Sequence, residues 1–321
     1  MLVSREIDTV FAGVLGLLIG SFLNVVIYRI PVMMYRDWLA EAVFNLMPSK
    51  DTPSLWSLVF GPKATPPAGL EAAAEKAAPA IEALPPFNLM RPASRCGSCG
   101  HQIRWYQNIP VLSYVLLRGR CASCKTPISP RYPLVELITA GLFALCAYRF
   151  GITPTGALWA AFGALLVCQF LIDFDTQFLP DSLNYPLLWL GLVGAAMGWT
   201  GVSLNAAVWG AVFGYLSLWL VYHGFRLITG KEGMGYGDFK LLGALGAWLG
   251  ADYIIAIILV SSLVGAVIGL TLRFAGKLAH KDIPIAFGPF LAGAGLVCLV
   301  AGPELVKQWI PFAFPLGALV H

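Results

Sequence analysis

Charge is what this sequence most lacks. Of its 321 residues only 12% are Asp, Glu, Lys or Arg, while 58% are hydrophobic. A soluble globular domain carries about twice that share of charge, so an ordinary water-facing surface is excluded. The net charge of +4 is too small to imply a nucleic-acid partner, and none is expected. Histidine is scarce, and His101, His223 and His280 stand where interfacial or structural duty is the expectation. No G-x-G-x-x-G string lies between a strand and a helix, so no Rossmann-type nucleotide or methyl-donor site is visible. No repeat with interrupted helices in matching halves is present, a pattern that many ion-coupled transporters would show. The N-terminus lacks a basic leader: Arg5 stands beside Glu6 and Asp8, and the apolar run behind them is longer than a signal-peptide core. That run is expected to be a retained first helix.

What is abundant is apolar sequence in blocks of roughly 17 to 25 residues, the length that crosses about 30 Å of hydrocarbon as a helix. Such blocks predict membrane helices near residues 9–30, 134–150, 156–172, 183–199, 204–227, 239–250, 253–275 and 284–301. The expected fold is therefore an all-α polytopic membrane protein with about eight spans. Four regions follow: residues 1–30 as the first span, 31–131 as a polar loop, 132–303 as the membrane domain, and 304–321 as an interfacial tail. Within the loop, residues 61–86 are Ala- and Pro-rich and poor in aromatics, a composition expected to give a flexible linker. On this topology 18 of the 21 basic residues fall on one side, which the positive-inside rule makes the cytoplasm. Glycines four apart, such as Gly16 and Gly20 in the first helix, and Gly243, Gly246 and Gly250 in the sixth, predict close helix packing.

Two C-x-x-C pairs, Cys96 with Cys99 and Cys121 with Cys124, are separated by 21 residues. Such paired knuckles let four thiolates close a tetrahedron around zinc. Disulfides or a redox dithiol are the competing readings, and a cytoplasmic loop disfavours disulfides. A closed four-sulfur site has no open position for substrate, so its role would be structural. Cys146, Cys168 and Cys298 stand singly in apolar runs and read as packing residues.

Ionisable residues in membrane helices are costly and so are functional candidates. Asp173 ends the third span, and Asp238 opens the sixth within Gly235-Tyr236-Gly237-Asp238. Two carboxylates that share one water make an aspartic protease, because like charges at close range leave one group protonated. Asp175, Asp181 and Asp252 carry the competing reading of helix caps or solvated interfacial groups. The residues alone do not choose between Asp173, Asp175 and Asp181. Asn24, Arg29 and Glu136 are further polar groups in costly places. They either line a site near the cysteines or pair with one another.

The stretches GSFLNVVIYRIP (residues 20–31), PRYPLVELITA (130–140), LIDFDTQFLPD (171–181), GKEGMGYGDFKLL (230–242) and FGPFLA (287–292) join the two C-x-x-C pairs in a fixed order. Together they resemble the bacterial type IV prepilin peptidase family over nearly the whole chain. The resemblance implies a cell inner-membrane protein whose two aspartates, Asp173 and Asp238, remove the basic leader of type IV prepilins and type II secretion pseudopilins at the cytoplasmic face. It also implies zinc on Cys96, Cys99, Cys121 and Cys124. Finally it implies N-methylation of the new N-terminus from S-adenosylmethionine, with no residues marked for the methyl donor. Asp175, Asp181 and Glu232 are expected to attract the leader's basic residues. An ion-coupled transporter and a non-catalytic zinc scaffold are the alternatives, and the second leaves the G-x-G-D loop without a role.

Overall fold

The computed structural model describes residues 2–47, 55–275 and 286–314, and among these the regular elements are all helices. His280, the start of the eighth expected span at 284 and the end of the tail lie outside the described residues. The chain divides into two units, residues 28–103 and a larger one made of 1–27 and 104–321.

Helix α1 (Leu2–Leu46) is one continuous element of 45 residues with Pro31 inside it. The polar stretch expected to begin at Pro31 therefore begins as helix. Its second half belongs to the smaller unit, with α2 (Leu55–Phe60) and α3 (Leu70–Glu82). Helix α3 lies inside the segment expected to be a linker. Its Ala, Glu, Leu and Lys are strong helix formers, and Pro79 falls near its end, so propensity overrode the compositional signal. Arg29 and Arg36 hold the chain that follows. Arg29 donates to the carbonyls of Asn88 (2.7 Å) and Pro92 (2.6 Å), Arg36 donates to that of Pro85 (3.0 Å), and both guanidinium groups lie over the Phe87 ring.

The larger unit holds α4 (Leu112–Leu116), α5 (Arg131–Phe150), α6 (Pro154–Thr176), α7 (Asp181–Ala196), α8 (Leu204–Thr229), α9 (Tyr236–Leu249), α10 (Tyr253–Phe274), α11 (Gly288–Ala301) and α12 (Pro303–Trp309). Local chemistry sets several of these ends. Thr153 and Ser203 accept from the backbone N–H three residues on, capping α6 and α8, and Pro154 fills the first position of α6. Gln177 and Gly230 stop α6 and α8 in the left-handed region, with φ of 55° and 70°.

Every expected span has a helix, but the count of eight spans does not follow. Among the described residues, five helices are long and apolar enough to cross a membrane: α1, α5, α6, α8 and α10. Helices α9 and α11 have 14 residues each, about 21 Å at 1.5 Å per residue, short of a 30 Å hydrocarbon layer. Helix α7 has 16. These short helices form the centre of the unit: α9 packs on α8, α7 and α11, and α11 on α6. Phe239, Leu241, Leu242, Leu245 and Trp248 of α9 are completely buried. Trp248 packs at a tilt against Trp159 and Phe162 and donates its indole N–H to the Leu187 carbonyl at 2.7 Å. The expected glycine packing is present. A Cβ on Gly16 or Gly20 would lie 2.7 Å from the backbone of Ala140 or Glu136 on α5, and Gly246 of α9 faces Gly210 of α8 backbone to backbone.

Candidate active site and cysteine cluster

Asp173 occupies the last turn of α6 and Asp238 the first turn of α9, so each stands where an apolar helix meets its loop. Both are buried, at 4% and 7% exposure, and Asp173 is close enough to act electrostatically on Asp238. One oxygen of Asp238 accepts from the Gly235 backbone N–H at 3.2 Å, which closes the Gly-Tyr-Gly turn into the helix. The Oδ2 atom of Asp173 is buried and has no hydrogen-bond partner.

Two glycines let the chain pack closely against the pair. A Cβ on Gly288, the first residue of α11, would lie 2.5 Å from Asp173 Oδ2 and 2.9 Å from Leu179. A Cβ on Gly237 would lie 2.7 Å from the same Leu179. Leu179 thus sits between the two glycines, and the ends of α6, α9 and α11 converge on the carboxylates. Gly288 was not singled out by sequence, because its contact with Asp173 joins elements distant in the chain.

The neighbouring acids are spent on ion pairs. Arg131 forks onto Asp175 with contacts of 2.7 and 2.8 Å, and Lys240 lies 2.7 Å from both oxygens of Asp181. Arg226 lies 3.7 Å from Glu232. The three acids expected to attract a basic leader are therefore already matched by cations. Asp252 follows α9 at its far end and does not join the pair. His223 contacts the Trp219 carbonyl and ring, a structural use. Cys146, Cys168 and Cys298 are buried singly.

One polar pair escaped the sequence reading. Gln169, one turn before Asp173 on α6, donates to Asn184 of α7 at 2.7 Å, and both are buried. Its remaining amide oxygen has no partner. An uncharged amide inside an apolar run was a usable signal.

Asn24, Arg29 and Glu136 do not pair with one another. Asn24 donates to the carbonyls of Gly20 and Tyr132, and Glu136 accepts from the Val111 N–H at 2.7 Å. Glu136 thereby satisfies a backbone group at a residue of positive φ, 58°.

The two C-x-x-C segments fold alike. In the first, Cys96 donates to the His101 carbonyl and accepts from Gly100; in the second, Cys121 donates to Thr126 and accepts from Lys125. Gly100 and Lys125 hold the same left-handed position, at φ 69° and 61°. The sulfurs of Cys96, Cys99, Cys121 and Cys124 form one cluster within 4.8 Å of one another, a donor set able to hold a metal ion.

Comparison with known proteins matches residues 14–150 to the Bacterial Peptidase A24 N-terminal domain and residues 159–270 to the Type IV leader peptidase family. The chain is 48% identical to a prepilin leader peptidase/N-methyltransferase of Stutzerimonas stutzeri, over 94% of this chain and 93% of that protein. It is 47% identical to one of Pseudomonas aeruginosa (93% and 92%) and 45% identical to one of Neisseria gonorrhoeae (93% and 93%). No solved structure matches it.

Proposed function

We infer, for a chain that belongs to the type IV leader peptidase family, that Asp173 and Asp238 are the catalytic pair of a membrane aspartic peptidase. The enzyme cleaves the leader from type IV prepilins and N-methylates the residue so exposed, the two activities carried by its relatives' shared name. The observation that carries the assignment is the burial of two carboxylates from separate helices beside each other, while Asp175 and Asp181 are neutralised by cations.

Two close carboxylates hold one proton between them. The ionised group takes a proton from water as the water oxygen bonds to the scissile carbonyl carbon, and the protonated group donates to the carbonyl oxygen. Collapse of the tetrahedral intermediate breaks the C–N bond and returns a proton to the leaving amine.

A prepilin carries a basic leader ahead of an apolar helix, so the positive-inside rule keeps the leader in the cytoplasm and the scissile bond at the membrane boundary. Helix-end aspartates match that depth. The excess of basic residues on one side supports a bacterial inner-membrane protein with the pair facing the cytoplasm. Type II secretion pseudopilins present the same charge pattern and are proposed as substrates too. Ion-coupled transport has no support, since the paired acids stand at helix ends instead of mid-membrane.

Zinc is the metal we assign to the four cysteines. A Zn–S bond of about 2.3 Å places sulfurs about 3.8 Å apart in a tetrahedron, a spacing that a cluster within 4.8 Å can hold. Bound there it would lock both knuckles and take no part in cleavage. Metal analysis should find one zinc per chain and none after Cys99→Ser with Cys121→Ser. S-adenosylmethionine is the proposed methyl donor and supplies the methyl of its sulfonium. The described residues form helices with no strand–turn–helix cradle, so the donor is held by some other arrangement.

Cleavage of a prepilin by purified protein in detergent tests the pair directly. Asp173→Asn and Asp238→Asn should each abolish it while fold and zinc are retained; near-normal cutting by either variant would overturn the assignment.

A further inference from the structure

Between the two knuckles the chain makes a short 3-10 turn (Trp105–Asn108) and then α4. Leu112, Val115 and Leu116 stand at i, i+3 and i+4 of α4 and so share one face. That face is uncovered: Leu112 is 52% exposed, Val115 63% and Leu116 72%, with Trp105 beside them in sequence at 80%. Ser113, on the other side, is buried. An apolar face turned outward with a polar residue inward is the reverse of a water-facing helix.

The hydrogen bond from Val111 to Glu136 fixes the depth of this segment. Glu136 is the sixth residue of α5, about 7 Å along the axis from Arg131, where the helix starts. Side chains lean back toward a helix N-terminus, so Val111 lies between the level of Arg131 and that of Glu136. Helix α5 is long and apolar enough to span a membrane, and its Leu134 and Leu137 are exposed as lipid-facing residues would be. The exposed face of α4 is therefore held at the mouth of a membrane helix. Exposed Arg104, Arg118 and Arg120 bracket it in sequence.

We propose that residues 105–117 form an interfacial anchor. Trp105, Leu112, Val115 and Leu116 enter the acyl boundary of the bilayer, and Arg104, Arg118 and Arg120 meet anionic lipid headgroups. The charge pattern names the lipid: each basic residue near an anionic surface favours it by about fivefold. Aromatic and aliphatic side chains backed by arginines are the composition of segments that lie in the membrane plane. In this arrangement Glu136 acts by holding the anchor at its depth, satisfying a backbone N–H that would otherwise be unpaired near hydrocarbon. The inference rests on α5 crossing the membrane and is independent of the catalytic assignment.

Photocrosslinking tests it in the full chain, reconstituted in nanodiscs of equimolar phosphatidylglycerol and phosphatidylcholine. Benzoylphenylalanine is placed singly at Leu116, at Val115, at Leu137 of α5 as the lipid-facing control and at Lys231 as the solvent control. The expected result is lipid adducts at Leu116 and Val115 in yields within about threefold of Leu137, with Lys231 near background. Phosphatidylglycerol adducts should exceed phosphatidylcholine adducts at least fivefold, and the excess should vanish in an Arg104→Gln, Arg118→Gln, Arg120→Gln variant. Adducts at Leu137 with none at Leu116 or Val115 would overturn the proposal. A crosslinked dimer through Leu116 would also overturn it, by showing that a second copy covers the face. Failure at Leu137 would remove the membrane placement of α5 itself, and the anchor with it.

Discussion

The acids at the two ends of α9 keep different company. At the first end Asp238 sits beside Asp173, whose Oδ2 has no hydrogen-bond partner, and Gly237 and Gly288 allow the backbone to approach Leu179 and Asp173 closely. At the other end Asp252 also has a buried oxygen without a partner, and so does the Tyr253 hydroxyl next to it. There Glu304 also lies close enough to act electrostatically on the Tyr253 hydroxyl, but it is matched by Lys307 at 3.7 Å. The Lys307 ammonium lies over the Tyr253 ring, which the edge of Phe314 also meets. A carboxylate oxygen without a partner thus recurs at both ends. Among the described residues, however, only the first end joins two buried carboxylates with no cation matched to either, the arrangement we propose divides one proton between base and acid. On the proposed mechanism, burial marks a candidate and pairing would give it chemistry.

The sharpest way to break this contrast is to remove the pairing. Asp173→Asn and Asp238→Asn should each lower kcat/KM for prepilin cleavage by about a thousandfold or more, within the range for loss of a general acid or base. In the wild type the same pairing requires a bell-shaped pH profile. Activity falls on the acid side as the ionised partner takes up a proton, and on the alkaline side as the shared proton leaves. A profile with one limb would mean that a single carboxylate does the work.

Next in size is the space beside the pair. Gly288→Ala would place a methyl 2.5 Å from Asp173 Oδ2, so the carboxylate must rotate away. A misplacement of about 1 Å in a reacting group costs on the order of a hundredfold, and the loss should appear in kcat with little change in KM. An equal rise in KM would show that Gly288 serves substrate binding and not the placement of Asp173.

One turn deeper, Asn184→Leu separates the reacting carboxylates from the framework that carries them. It leaves the Gln169 amide buried with neither end paired, a cost of about 1–3 kcal/mol. The melting temperature should fall by several degrees, while cleavage at permissive temperature changes by less than about threefold. Gln169→Leu added to Asn184→Leu removes both polar partners and should recover most of the lost stability. Failure to recover would show that the amide pair holds α6 and α7 in register by shape as well as by hydrogen bonding.

Much of the architecture was legible because membrane helices announce themselves by apolar length, and because Thr153-Pro154, Ser203 and Gly230 are local stop and start signals. The knuckles were legible for the same reason, since each C-x-x-C turn is closed by its own neighbours. What sequence could not give was tertiary. Nothing local distinguishes Asp173 from Asp175, two residues apart. The difference is that Arg131, from another helix, reaches one and not the other. Helix α1 running past Pro31 and the arginines tying residues 85–92 to it depend likewise on partners far along the chain. The number of spans is the part that helix length leaves unconfirmed: α9 is apolar and largely buried in protein, α11 is partly so, and apolar content alone does not tell burial from spanning.

The smallest effect is the one that isolates the comparison. Asp252→Asn keeps shape and hydrogen-bonding capacity while removing the charge, at the end of α9 where the neighbouring acid, Glu304, is matched by Lys307. If pairing is what matters, cleavage by this variant should stay within about twofold of wild type. Its thermal stability should hold or rise slightly, because a buried carboxylate oxygen without a partner is costly and an amide is less so. Assaying it beside Asp173→Asn on the same prepilin makes the two ends of one helix each other's control. A loss at Asp252 approaching that at Asp173 would mean that both ends of α9 take part in the reaction and that pairing is not the criterion that separates them.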